Sequence, residues 1–126
     1  MLLMVAGLTA VVRAQQPAQQ PARLPMFVVV YERGAAWDDA KGAFQQASIP
    51  EHMQFLRTLG EPLVGAGPFR QGVAPGTADR VVGMVIVRAA SQEEAQALIA
   101  RDPGIVSNVM KATVRSWMTE GLRGCN

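Results

Sequence analysis

Hydrophobic and polar positions fall into blocks along this chain, and the period within each block separates strands from helices. Residues 26–31, Met-Phe-Val-Val-Val-Tyr, form an unbroken β-branched and aromatic run that predicts a strand buried on both faces. Gly34 ends it. Residues 34–47 sustain no period and predict a long loop with at most one helical turn. Ser48-Ile49-Pro50-Glu51 has the spacing of a capping box, with Ser48 as N-cap and proline tolerated in the first turn, so a helix is expected over residues 49–59. Residues 61–69, interrupted by glycines, predict a short second strand, and residues 70–79, with their Pro75-Gly76 pair, a hairpin loop. Residues 80–88 predict a third strand, again apolar on both faces. Ser91 and Glu94 repeat the capping-box spacing and open a second helix, whose apolar face is Ala95, Leu98 and Ile99 and whose stop is Asp102-Pro103-Gly104. A short helical turn is expected within residues 105–110 and a last strand over residues 112–118.

The resulting order, β-α-β-β-α-β, is the split βαβ arrangement of ferredoxin-like α+β domains. Both helices then cover one face of an antiparallel sheet. The first and third strands are apolar on both sides, however, and no remaining element is large enough to cover the second face. A homodimer burying two sheets face to face is the expected answer, because monomers seldom expose large apolar patches.

The ends of the chain read differently. Residues 1–12 are apolar and uncharged, too short to span a bilayer, and lead into the small-x-small triplet Val12-Arg13-Ala14. Residues 1–14 are therefore expected to be a signal peptide, giving an exported chain, periplasmic or extracellular, with no stable membrane span after its removal. Residues 15–25, rich in Gln and Pro, predict an extended linker; residues 26–118 form the expected folded domain and residues 119–126 a polar tail carrying Cys125.

Composition narrows the chemistry. With 126 residues, 49% hydrophobic and 17% charged, the chain has material for one domain and is unlike a disordered segment. Its formal net charge of +2 comes from cations scattered singly, so no nucleic-acid partner is expected. Removing residues 1–14 takes one arginine away and weakens the basic bias further. One His and one Cys can build neither a structural zinc or iron–sulfur site nor a disulfide framework within one chain. No metal and no other cofactor is expected.

The single histidine thus carries the argument. On a helix starting at Ile49, successive side chains turn by about 100°, which sets His52 among Ile49, Met53, Phe55, Leu56 and Leu59, with Glu51, Gln54, Arg57 and Thr58 opposite. The imidazole faces the interior, where it needs a polar partner. Two readings stay open: a core histidine bonded to a backbone carbonyl, and a general base oriented by a carboxylate. Among the carboxylates, Glu51 and Glu94 are engaged as capping-box partners, Glu93 is exposed in a first turn, and Asp38 and Asp39 lie in the long loop. Asp102 is the remaining candidate. It also fits an N-cap followed by Pro103 at the first helical position, and the two roles are compatible.

The ordered set Ser48-Ile-Pro-Glu-His52, Gly65-Ala-Gly67-Pro68-Phe69, Glu93-Glu94-Ala95 leading to Asp102-Pro103, and Val114-Arg-Ser-Trp117 resembles the YCII-related (YciI-like) family over residues 26–117. The resemblance implies a dimeric α+β barrel fold and matches that family's proposed active-site pair to His52 and Asp102. It also implies that Gly67 and Pro68 border the pocket, and sets Trp37 and Gln45 beside an aromatic and a Gln of the first long loop in some members. The activity implied is a cofactor-independent lyase or isomerase acting on a small cyclic or aromatic compound. The alternative expectation is a dimer that binds a small molecule without turnover.

Overall fold

The computed structural model describes residues 23–120. The expected signal peptide, most of the expected linker and Cys125 lie outside the described residues. Within them the chain forms β1 (Met26–Arg33), α1 (Ile49–Thr58), β2 (Leu63–Pro68), β3 (Val81–Arg88), α2 (Gln92–Ile99), α3 (Pro103–Val106) and β4 (Met110–Trp117). One 3₁₀ turn, Ala43–Gln45, sits in the long loop after β1. The strands make one antiparallel sheet in the order β2-β3-β1-β4. This is the ferredoxin-like α+β arrangement.

β1 lies between β3 and β4 and organises the molecule. Its residues alternate between half-buried and buried, so Phe27, Val29, Tyr31 and Arg33 point to the helix-covered face. There they meet Val85 and Val87 from β3 and the helix residues Ile49, Leu56, Ala95 and Ile99, which form one core. Met26, Val28 and Val30 point to the other face, beside Ile86 and Met84 in the β3 register and Trp117 in the β4 register. The expectation of two fully buried faces is thus met on one face only in a single chain; the second stays half-exposed.

Local signals place most elements within two residues, with two corrections. Ser48 does not cap α1: its backbone is left-handed, with φ of 64°, and its side chain accepts no hydrogen bond from the first turn. Capping requires an extended backbone that swings the hydroxyl over the first turn, which this conformation does not provide. Ser91 does cap α2, accepting from Glu94 N at 3.1 Å, while the Glu94 carboxylate accepts from Ala90 N rather than from the cap residue itself. The short helix falls earlier than expected, at Pro103–Val106, because Asp102 caps it directly; β4 accordingly begins at Met110 instead of residue 112. Of the expected linker, its final residues are tied to the sheet, with Leu24 O accepting from Arg88 and Pro25 O from Ala89 N.

Candidate active site

Three elements converge on Asp102. The residue ends the segment after α2, and with Pro103 behind it begins α3, so its Oδ1 accepts from Gly104 N at 2.9 Å. That cap fixes the carboxylate and leaves Oδ2 for others. His52, in the second turn of α1, brings Nδ1 to 2.7 Å from Oδ2. Tyr31, in the middle of β1, donates its hydroxyl to the same oxygen at 2.8 Å. The carboxylate is fully buried, at 0% exposure, and has three donors around it. A buried carboxylate needs such compensation. The cap and the contact with His52 are therefore served by one side chain.

The rings of Tyr31 and His52 meet edge to face, with centroids 5.3 Å apart and planes at 71°. Burial, and after it the Asp102 charge and hydrogen bond, push the Tyr31 hydroxyl far above the ordinary phenol range. Tyr31 thus remains a donor. With Gly104 N–H donating to Oδ1 and Tyr31 O–H to Oδ2, both carboxylate oxygens already face donors, and the shared proton is assigned to His52 Nδ1. Nε2 is then the nitrogen with a free lone pair.

His52 lines a cavity of about 240 Å³ between α1 and the β2-β3 side of the sheet. Gly67 and Pro68 border it, as do Tyr31, Ile49, Leu56 and Met110. The exposed Phe44, at 62%, and Met53 form its outer edge. The walls are overwhelmingly apolar, so the imidazole is presented to a small apolar volume suited to a compact organic molecule.

Trp37 and Gln45 do not line this cavity. Trp37 is buried, with the Arg33 guanidinium 5.1 Å over its ring. Gln45 is exposed, because the 3₁₀ turn sends Ala43 inward and Phe44 and Gln45 outward. The buried glutamine is its neighbour Gln46, which accepts from Asp38 N and donates to Asp38 O and Lys41 O, closing the loop on itself. Asp38 in turn accepts from Ala40 N and pairs with Lys41, which hold its carboxyl below the ordinary range. These residues shape the loop. Trp117, half-buried on the open face of the sheet opposite Met26, also lies away from the cavity.

Two residues of the site region escaped the sequence reading. Tyr31 was legible as a buried-strand aromatic with a polar tip, which requires a partner. Arg33 shares its parity on β1 and is 3% exposed. It donates to Asp39, Thr77 O, Gly72 O and Ala74 O, stapling the loop after β1 to the loop before β3. Among the described residues no group of three or more His, Cys, Asp or Glu side chains is placed to hold a metal ion, and no helix is long and apolar enough to cross a membrane.

The sequence profile of the family described as "YCII-related domain" matches residues 26–118. No curated protein matches the chain. Among solved structures, one of similar fold is the 5-chloro-2-hydroxyhydroquinone dehydrochlorinase of Burkholderia phenoliruptrix, in complex with 2,5-dihydroxybenzoquinone. It is 20% identical, the match covers 74% of this chain and 93% of that one, and the TM-score is 0.55. At that identity the likeness concerns the fold.

Proposed function

The chain belongs to the YCII-related domain family, and from that premise we propose a cofactor-independent lyase or isomerase in which His52 removes a proton from a small cyclic or aromatic compound. The observation that carries this reading is the 2.7 Å contact between His52 Nδ1 and a fully buried Asp102, made at the wall of an apolar cavity. The pair has the logic of a general base and its orienting carboxylate: Asp102 holds the ring and stabilises the cation that forms on it.

The step balances without a further reagent. Nε2 takes a proton from a C–H or O–H of the bound molecule, and the electron pair left behind moves into the carbon framework. In an isomerisation the proton returns at another atom. In an elimination a neighbouring leaving group departs with its bonding pair and the imidazolium releases its proton to solvent. The dehydrochlorinase of similar fold belongs by name to the second type, which makes chlorinated hydroxyhydroquinones useful first probes.

Two further features belong to the same reading. The half-exposed apolar face carrying Val28, Val30, Met84 and Ile86 supports a homodimer closed through the sheets. The apolar run of residues 1–12 supports export before cleavage near residue 14. Sedimentation of the purified chain and N-terminal sequencing of the exported product check these two points.

The central test is solvent isotope exchange. Phenols, hydroxyquinones and lactones incubated with the protein in deuterated buffer should exchange an acidic C–H, or lose halide, and His52→Ala should slow this by about 10²- to 10⁴-fold. Equal exchange by wild type and variant removes His52 as the base.

A further inference from the structure

Resting on the reading of His52 as the base, we infer that Tyr31 is a positioning residue that commits the imidazole to one tautomer through Asp102. Three donors meet the two oxygens of this carboxylate, and their division is uneven. Gly104 N occupies Oδ1 and sets the carboxylate's rotation through the backbone of α3. Tyr31 and His52 share Oδ2, at 2.8 and 2.7 Å. A phenol and an imidazole can each donate or accept, so the shared oxygen would leave the proton's address open if either partner were free to choose. Tyr31 is not free. Its hydroxyl is buried on the central strand and has Asp102 as its acceptor, and burial beside a carboxylate keeps it protonated.

With the Tyr31 proton directed at Oδ2, that oxygen cannot itself carry a proton without facing a donor. The hydrogen on the remaining contact therefore belongs to Nδ1 of His52, and Nε2 keeps its lone pair for the cavity. The edge contact of the two rings adds a steric constraint, since rotation of the imidazole about its own axis would drive it against the phenol. Loss of the hydroxyl would leave the ring contact in place and remove only the second donor. Asp102 would then be satisfied by Gly104 and His52 alone, and its Oδ2 would be free to reorient or to admit water.

The chain holds one histidine and one tyrosine, so nitrogen and fluorine labels report on His52 and Tyr31 without assignment. In the full chain, ¹⁵N-imidazole spectra should show the neutral ring as its Nδ1–H tautomer. In Tyr31→Phe, with the core amide spectrum retained, the Nε2–H tautomer should grow and Nδ1–H exchange with solvent should quicken about tenfold, the factor one ordinary hydrogen bond supports. An unchanged tautomer and exchange rate in the folded variant overturn the assignment. A tyrosine of purely structural importance would lower the melting temperature and leave both readings where they were.

Chain-wide replacement by mono- and difluorotyrosine keeps the hydroxyl and serves even if Tyr31→Phe fails to fold. As the phenol grows more acidic it claims more of Oδ2, and the Nδ1–H resonance should move stepwise. No movement across the series likewise overturns the assignment. Isotope-exchange activity is scored separately: tautomer changes in a protein that catalyses no exchange remove the proposed reaction and leave the role of Tyr31, whereas catalysis with unaltered spectra in Tyr31→Phe removes that role alone.

Discussion

Tyr31 and Arg33 stand two residues apart on the same face of β1, and each leads to a buried charge that is handled in a different way. Around Tyr31, the charged group is Asp102, whose three donors satisfy it completely and leave one imidazole nitrogen unspent toward a cavity. Around Arg33, the charged group is the guanidinium itself. Its Nη atoms are consumed by Asp39 and three loop carbonyls, its flat face lies over Trp37, and its Nε and Trp37 Nε1 have no acceptor. Both clusters are polar and buried, yet only the first retains a reactive atom at an accessible volume. A buried ionisable group thus points to chemistry when its network leaves a reactive atom at an accessible volume, and to architecture when its bonds tie loops together and what is left over is sealed in the core.

Substitutions that break this contrast should differ most at Arg33. Arg33→Ala leaves the Gly72, Ala74 and Thr77 carbonyls without their donor and Asp39 without its partner. We expect a loss of about 3 kcal/mol in chemical denaturation, from loop carbonyls left without a donor and packing lost against Trp37, with catalysis per folded molecule retained at low temperature. Equal loss of catalysis and stability would merge the two clusters into one. Asp102→Asn should do the reverse. Its amide retains an acceptor for Gly104 but presents a donor or a weaker acceptor to two groups that expect a carboxylate. Stability should fall by about 1–3 kcal/mol while exchange activity falls by about 10²-fold or more. A ratio of kcat/KM between wild type and variant close to unity would deny Asp102 any part in the reaction.

Gly104→Ala sharpens the same contrast from the backbone side. A Cβ there would sit 2.5 Å from Met110 Cε, 3.3 Å from Asp102 Oδ1 and 3.6 Å from His52 Cβ. Because the methionine tip can move, a cost near 1 kcal/mol is expected by thermal melting, accompanied by a shifted His52 imidazole signal. A melting change with no shift at His52 would show that the strain is absorbed by Met110 alone. The smallest effect is one of pH. The folded state holds the Tyr31 proton well above the ordinary value of 10.0, whereas the unfolded chain releases it there. The unfolded state then binds fewer protons, so this contribution is fully present below about pH 10 and stability declines as pH rises beyond it. Phenolate absorbance should therefore appear with unfolding and not before, and an ordinary titration in the folded protein would contradict the buried contact.

Several parts of this picture were legible in residue order. Continuous β-branched runs and the Ser91 to Glu94 box announced β1, β3 and α2, since local sterics and backbone capping act over a few residues. The spacing of His52 with Ile49, Leu56 and Leu59 turned the imidazole inward, and Asp102 before Pro103 announced a cap. Ser48 shows the limit of the same signals: its type and spacing fit a cap, but the approach of the loop set a left-handed backbone that local sequence does not encode. Gln45 and Gln46 show another. Which of two adjacent glutamines turns inward depended on the seating of the 3₁₀ turn, where Ala43 N bonds to Val73 O on a distant loop.

Taken by itself, then, residue order determined the succession of elements, the inward face of α1 and the shortlist of polar residues able to do chemistry, all consequences of short-range periodicity. Tertiary structure decided which of them meet. Asp102 lies fifty positions from His52 and seventy-one from Tyr31, and their convergence on one oxygen arises from the crossing of β1 beneath α1 and α3. It likewise decided that Tyr31 serves a cavity while Arg33 closes a loop. Distances between groups remote in sequence are set by packing of whole elements, and hydrogen bonds, which fade within an ångström, are assigned only after that packing is complete.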